Sequence, residues 1–175
     1  MTRVFLIGYM GAGKTTLGKA FARAMGLTFV DLDWYLEERF HKTVRQLFAE
    51  RGEDGFRELE RRMLHEAAEF EDVVISVGGG TPCFFDNMEY MNQTGTTVYM
   101  KASVETILAH LRLSKGERPL LTGKSEEELR TYITEQLAAR SPFYEQAQHI
   151  VNVDVLNDFK RVNSVASTIK NLISK

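Results

Sequence analysis

The stretch Gly8-Tyr9-Met10-Gly11-Ala12-Gly13-Lys14-Thr15 has the residue types and the spacing to hold an anion. Its glycines allow backbone N–H groups to turn inward around phosphate oxygens, where a Cβ would stand in the way. The pattern G-x-x-x-x-G-K-[ST] adds a lysine able to reach the β- and γ-phosphates and a hydroxyl able to ligate Mg²⁺. Gly11, Ala12, Gly13, Lys14, Thr15 and Thr16 are therefore the candidate contacts to the polyphosphate of ATP, with Mg²⁺ on Thr15. A helix opening near Lys14 adds its positive end to the same anion.

Further along, Asp31 and Asp33 follow a short apolar segment, Thr28-Phe29-Val30. Residues two apart on a strand share a face, so both carboxylates are expected to point into one site at the strand's C-terminal end. One would hold Mg²⁺ through water, for which Asp31 is the candidate. The other would accept a proton or a hydrogen bond from a substrate hydroxyl. The alternative is that one of them caps a helix beginning at Trp34. Gly78-Gly79-Gly80 directly follows the apolar run Val73-Val74-Ile75-Ser76-Val77, so the backbone can approach a ligand closely there. Arg57 is a candidate fork for a carboxylate. From Arg112 to Gly123 apolar periodicity gives way to charge, which predicts a mobile lid over about 112–123, one arginine of which would meet the charge of the transferring phosphoryl group. Arg112 is a candidate purine contact. The lone Cys83 has no paired base and reads as an inert thiol.

These residues need elements to position them. Thr2-Arg3-Val4-Phe5-Leu6-Ile7 reads as a buried strand running into the glycine-rich loop, and Leu17, Ala20, Phe21 and Ala24 follow at helical spacing up to Gly26. Strand candidates then alternate with helices: Thr28–Val30, Val73–Val77, Thr96–Met100 and His149–Asn152. Helices are predicted over Leu36 to Phe40, Val44 to Gly52, and Asp54 to Phe70, the last with a charged face (Arg57, Glu58, Glu60, Arg61, Arg62) expected to be mostly solvated. Others follow the strands Thr96–Met100 and His149–Asn152. Ser125 to Glu128 forms a capping box, and Pro142 is expected to end the helix that it opens. The alternation predicts one α/β domain spanning 1–175, whose five strand candidates would form a mainly parallel sheet.

The bulk properties narrow the function. A net charge of −2 gives no electrostatic footprint for nucleic acid or for a membrane surface. No apolar run approaches a membrane span. The single cysteine fits a reducing compartment, so the expected setting is the cytoplasm. Without a coiled-coil seam, the expected state is a monomer. The four histidines lack ligand spacing, so no metal site is expected beyond nucleotide-bound Mg²⁺.

Taken in order, Gly8 through Thr15, Asp31-x-Asp33, Phe56-Arg57-x-x-Glu60, Gly78-Gly79-Gly80, Arg118-Pro119-Leu120-Leu121 and Arg140-x-Pro142-x-Tyr144 resemble the shikimate kinase family over nearly the whole chain. The resemblance implies the three-layer α/β P-loop NTPase fold, a five-stranded parallel sheet flanked by helices with a mobile lid, and ATP-dependent phosphorylation of the 3-hydroxyl of shikimate, in aromatic amino-acid biosynthesis. It implies that Asp33 holds ring hydroxyls and is the base, and that Arg57 and Arg140 bind the shikimate carboxylate. Gly78, Gly79 and Gly80 supply backbone contacts, and Asp31 supports Mg²⁺ with Thr15. It makes Lys14, Asp33 and Arg118 the catalytic set. A kinase for another small hydroxy acid such as gluconate is the competing reading, distinguished by the shape of the pocket that holds Arg57 and Arg140. A guanine-reading Asn-Lys-x-Asp segment, which a nucleotide switch would need, is missing from the sequence.

Overall fold

The central strand, β1 (Arg3–Ile7), is apolar on both faces, and Val4 through Ile7 are fully buried. That is what a parallel strand covered by helices on both sides requires. The structure, a computed structural model, describes residues 1–113, 124–154 and 159–174. Its sheet also contains β2 (Thr28–Asp31), β3 (Val73–Ser76), β4 (Thr96–Lys101) and β5 (His149–Asn152), in the spatial order β2-β3-β1-β4-β5 with every pair parallel. This is the five-stranded parallel sheet that the alternation predicts.

Helices α1 (Lys14–Met25), α2 (Leu32–Phe40), α3 (Val44–Ala67), α4 (Asn87–Thr94), α5 (Val104–Leu113), α6 (Glu126–Tyr144) and α7 (Phe159–Ile173) flank the sheet among the described residues. Helix α1 stops at Gly26, whose φ of 68° suits a residue without a Cβ, as the sequence predicts. Helix α3 is broken at Gly52 (φ 71°, ψ 177°), which accounts for the two successive helical patterns read there. The capping boxes at Thr43/Gln46 and Ser125/Glu128 are both formed.

Three expectations need correction. Strand β2 ends at Asp31, and Asp33 lies in the first turn of α2, so the two carboxylates do not share a strand face. That helix starts at Leu32, two residues before Trp34, because Asp31 turns the chain by accepting from the backbone N–H groups of Asp33 and Trp34. Helix α6 runs through Pro142 to Tyr144. Proline there removes a single donor near the helix end, Ala138 with the freed carbonyl is exposed, and Glu145 N–H still closes onto Ser141 O at 2.9 Å.

Candidate active site

Adjacent strands β2, β3 and β1 end on the same side, and their C-terminal loops carry Asp31, the glycine triplet and the phosphate loop respectively. Open α/β sheets bind ligands at this edge, where the connections on either side of a strand diverge. A cleft of about 540 Å³ lies there, lined by Gly11, Gly13, Lys14, Thr15, Thr16, Asp31, Asp33, Gly78, Gly79 and His110, among others.

The phosphate loop is shaped by Gly11 (φ 82°) and Gly13 (φ 92°), both in the left-handed region that favours glycine. Gly13 offers no side chain to cap α1, and the first turn of α1 holds no acidic residue. Its N-terminal N–H groups are thus left for an external anion. The Lys14 ammonium lies on the loop itself, donating to the carbonyls of Gly8 and Tyr9, the latter at 3.2 Å. The Thr15 hydroxyl stands 3.5 Å from Asp31 Oδ2, while Asp31 Oδ1 accepts from Asp33 and Trp34 N–H at 3.0 and 3.2 Å. Asp31 therefore caps α2 with one oxygen, as the alternative reading of the sequence has it, and faces the Thr15 hydroxyl with the other. Trp34, next to Asp33, is 59% exposed.

Each glycine of the triplet seats a different side chain. A Cβ on Gly78 would lie 3.3 Å from Asp33 Oδ1, one on Gly79 would lie 3.1 Å from Arg140 Nη1, and one on Gly80 would lie 2.7 Å from Arg57 Nη2. The triplet thus brings a carboxylate and two guanidinium groups together from α2, α6 and α3. Arg57 and Arg140 do not line the cleft themselves; they lie against the glycines that adjoin it. Arg57 is held by Glu60 Oε1 at 3.0 Å and stacks over Phe84 with its Cζ 4.2 Å from the ring centroid. Its Nε is buried and has no hydrogen-bond partner among the described residues. Arg140 lies over the Tyr9 ring at 5.5 Å. Tyr144, fully buried, donates its hydroxyl to Gly79 O and so ties α6 to the triplet.

Burial, helped by Asp31 and Glu60 and opposed by Lys14, pushes the Asp33 carboxyl up to about 6. Burial also raises Glu60, against the pull of Arg57. Cys83 is pushed up to about 11 by burial, which fits an inert thiol.

The expectation of a solvated charged face on α3 fails at Glu60, which is 1% exposed, and at Arg57, which Glu60 partners; Glu58 and Arg62 are exposed as expected. The i, i+3 spacing of Arg57 and Glu60 was the available signal. Arg112 is exposed on α5, is paired with Glu126, and does not line the cleft. From the same helix His110 does, without any periodic or motif signal that marks it in the sequence. Arg118 and most of the predicted lid, 114–123, lie outside the described residues.

A parallel sheet with a P-loop motif at the end of its central strand, and one carboxylate and two guanidinium groups gathered by the glycine triplet beside it, is the arrangement of a P-loop phosphotransferase. Comparison with known proteins narrows the class. The shikimate kinase family model matches residues 10–172. The shikimate kinase of Phocaeicola vulgatus is 61% identical over the whole of both chains. The crystal structure of shikimate kinase from Bacteroides thetaiotaomicron superposes with a TM-score of 0.97 at 57% identity, covering 99% of each chain. Shikimate kinase from Acinetobacter baumannii in complex with shikimate gives 0.86 at 31% identity, over 99% of this chain and 93% of that one. The chain belongs to the shikimate kinase family, phosphotransferases with an alcohol acceptor.

Proposed function

We propose that the chain moves the γ-phosphoryl group of ATP to the 3-hydroxyl of shikimate, giving shikimate 3-phosphate and ADP. One observation carries the reading: beside the phosphate loop, the glycine triplet gathers Asp33, Arg140 and Arg57, a carboxylate and two cations suited to an acceptor with hydroxyls at one end and a carboxylate at the other. The orphaned Nε of Arg57 supports it, since a buried donor without a partner is costly unless a ligand completes it.

In this reading Arg57 and Arg140 hold the acceptor carboxylate, and Gly78, Gly79 and Gly80 keep the acceptor against Asp33. Asp33 takes the proton from the 3-hydroxyl as that oxygen bonds to the γ-phosphorus. The bond from that phosphorus to the bridging oxygen breaks, and ADP leaves. Lys14 exchanges its two loop carbonyls for phosphate oxygens, and the N–H groups at Gly11 to Thr16 stabilise the charge. Thr15 and, through water, Asp31 fit a hard cation that prefers oxygen ligands. Mg²⁺ held there supplies charge neutralisation between the β- and γ-phosphates. Among the described residues no group of three or more His, Cys, Asp or Glu could hold a metal ion, so nucleotide oxygens would complete the coordination. Arg118 is proposed from its motif as a further phosphate ligand, in a lid spanning about 112–123, and Arg112 as a purine contact. Since Asp33, Arg57, Arg140 and the phosphate loop all come from one chain, action as a monomer belongs to the same proposal. So does a cytoplasmic setting, for which the single cysteine speaks.

ADP release from Mg-ATP, measured with shikimate, with gluconate and with neither, tests the reading. Release that depends on shikimate alone is expected. Release with gluconate instead would keep the phosphate-loop chemistry and discard the acceptor.

A further inference from the structure

Two groups fix the peptide plane between Gly11 and Ala12. On one side Ala12 N–H donates to Tyr9 O at 3.1 Å, within the phosphate loop. On the other, the Gly11 carbonyl meets Nδ1 of His110, which arrives from the last turns of α5. The same helix packs on the Gly11 Cα: a Cβ there would lie 3.4 Å from Leu111 Cδ2 and 3.5 Å from the Ile107 carbonyl. Gly11, on one side of this plane, and Gly13, the residue after Ala12, both sit at positive φ, so two residues with unusual backbone freedom flank it. Its orientation sets the direction of the N–H groups that follow it into α1. A rotated plane would turn a carbonyl oxygen toward the anion.

We propose that His110 is a positioning residue for the phosphate loop: its Nδ1–H, donated to the Gly11 carbonyl, locks the Gly11–Ala12 peptide so that the following N–H groups face the polyphosphate. A carbonyl oxygen can only accept, so Nδ1 carries the proton. The hydrogen bond also offsets the partial negative charge of that carbonyl beside the anion site. Helix α5 thereby acts on nucleotide binding without contributing a phosphate ligand. The inference rests on the reading that this loop binds ATP, but not on the identity of the acceptor.

The test is direct calorimetric binding of Mg-ATP to the full chain, without acceptor, together with the KM for each substrate. His110→Ala is expected to weaken Mg-ATP about 3- to 10-fold, the value of one hydrogen bond in this setting, and to leave the acceptor KM within about twofold. Asn places a donor where Nδ1 stands and Gln places one nearer Nε2. His110→Asn should therefore bind Mg-ATP within about twofold of the parent chain, and His110→Gln should resemble His110→Ala. Unchanged Mg-ATP affinity in His110→Ala overturns the proposal. So does an Asn variant as weak as the Ala variant, a Gln variant that rescues in its place, or an equal loss for both substrates. Should His110→Ala fail to fold, the comparison of Asn with Gln decides alone. A parent chain that binds Mg-ATP yet phosphorylates no shikimate would end the proposed acceptor and leave this test intact.

Discussion

A carboxyl held near 6 sets the pH behaviour of single side chains in this site. The proposed base works only when ionised, so kcat/KM for the acceptor should fall tenfold per pH unit below about 6 and level off above it. A pH profile flat from 5 to 8 would remove Asp33 from that role. The same shift acts on stability with the opposite sense. A carboxyl raised in the folded state favours folding below its unfolded value of 3.8, and this contribution is lost as pH rises through about 6. Asp33→Asn should thus abolish turnover yet stabilise the fold at pH 7 by up to about 3 kcal/mol, a gain that largely vanishes near pH 4 in denaturant melts. Arg140 belongs to the same scale. Removing a charged hydrogen-bond donor costs about 1.5–3 kcal/mol, so Arg140→Ala should raise the acceptor KM about 10- to 100-fold and hardly move that for ATP. Equal effects on both would mean that Arg140 does not hold the acceptor.

Among elements, the decisive contacts are those where a missing Cβ lets two parts meet. Gly80 gives way to the end of a long side chain, the Arg57 guanidinium. Gly80→Ala should fold with a nearly unchanged Tm while the displaced Arg57 raises the acceptor KM; a normal KM would show that the guanidinium finds its place regardless. Gly18 on α1 is different. A Cβ there would lie 2.4 Å from Phe29 Cε2 and 3.0 Å from Leu6 Cδ1, inside the packed layer between helix and sheet. Gly18→Ala should therefore destabilise the chain by about 1–3 kcal/mol in chemical denaturation.

At the scale of the molecule, binding and folding are one equilibrium. A ligand present at about 100 times its Kd adds about 2.7 kcal/mol, which for a domain of this size means a rise in Tm of about 5–10 °C. Mg-ATP should produce that shift in the parent chain. Lys14→Ala should keep the parent's own Tm within a few degrees, lose most of the shift, and lose turnover about 100-fold or more. A Lys14→Ala chain with normal turnover would remove the central claim. What the sequence revealed also divides along physical lines. The sheet was legible because strands buried on both faces are runs of apolar residues, as in Val4 to Ile7 and Val73 to Val77. The phosphate loop was legible because its chemistry is local. Asp33 was assigned to the right cleft by the wrong geometry, since a cap at Asp31 ends the strand sooner than apolar pattern alone can show. Glu60 looked like a surface charge because its burial depends on the triplet, which lies at a distant strand end, and only its pairing with Arg57 is local. Nothing local distinguishes His110 either, for its partner is 99 residues away.

The position of Trp34 has a practical corollary. It is the chain's one tryptophan, it is 59% exposed, and its own N–H rests on the carboxylate that caps α2. All indole emission from this protein therefore originates one residue from the proposed base. Filling of the acceptor pocket and titration of Asp33 should both be readable as a change in fluorescence, with no label attached, giving the molecule a built-in optical gauge of its own chemistry.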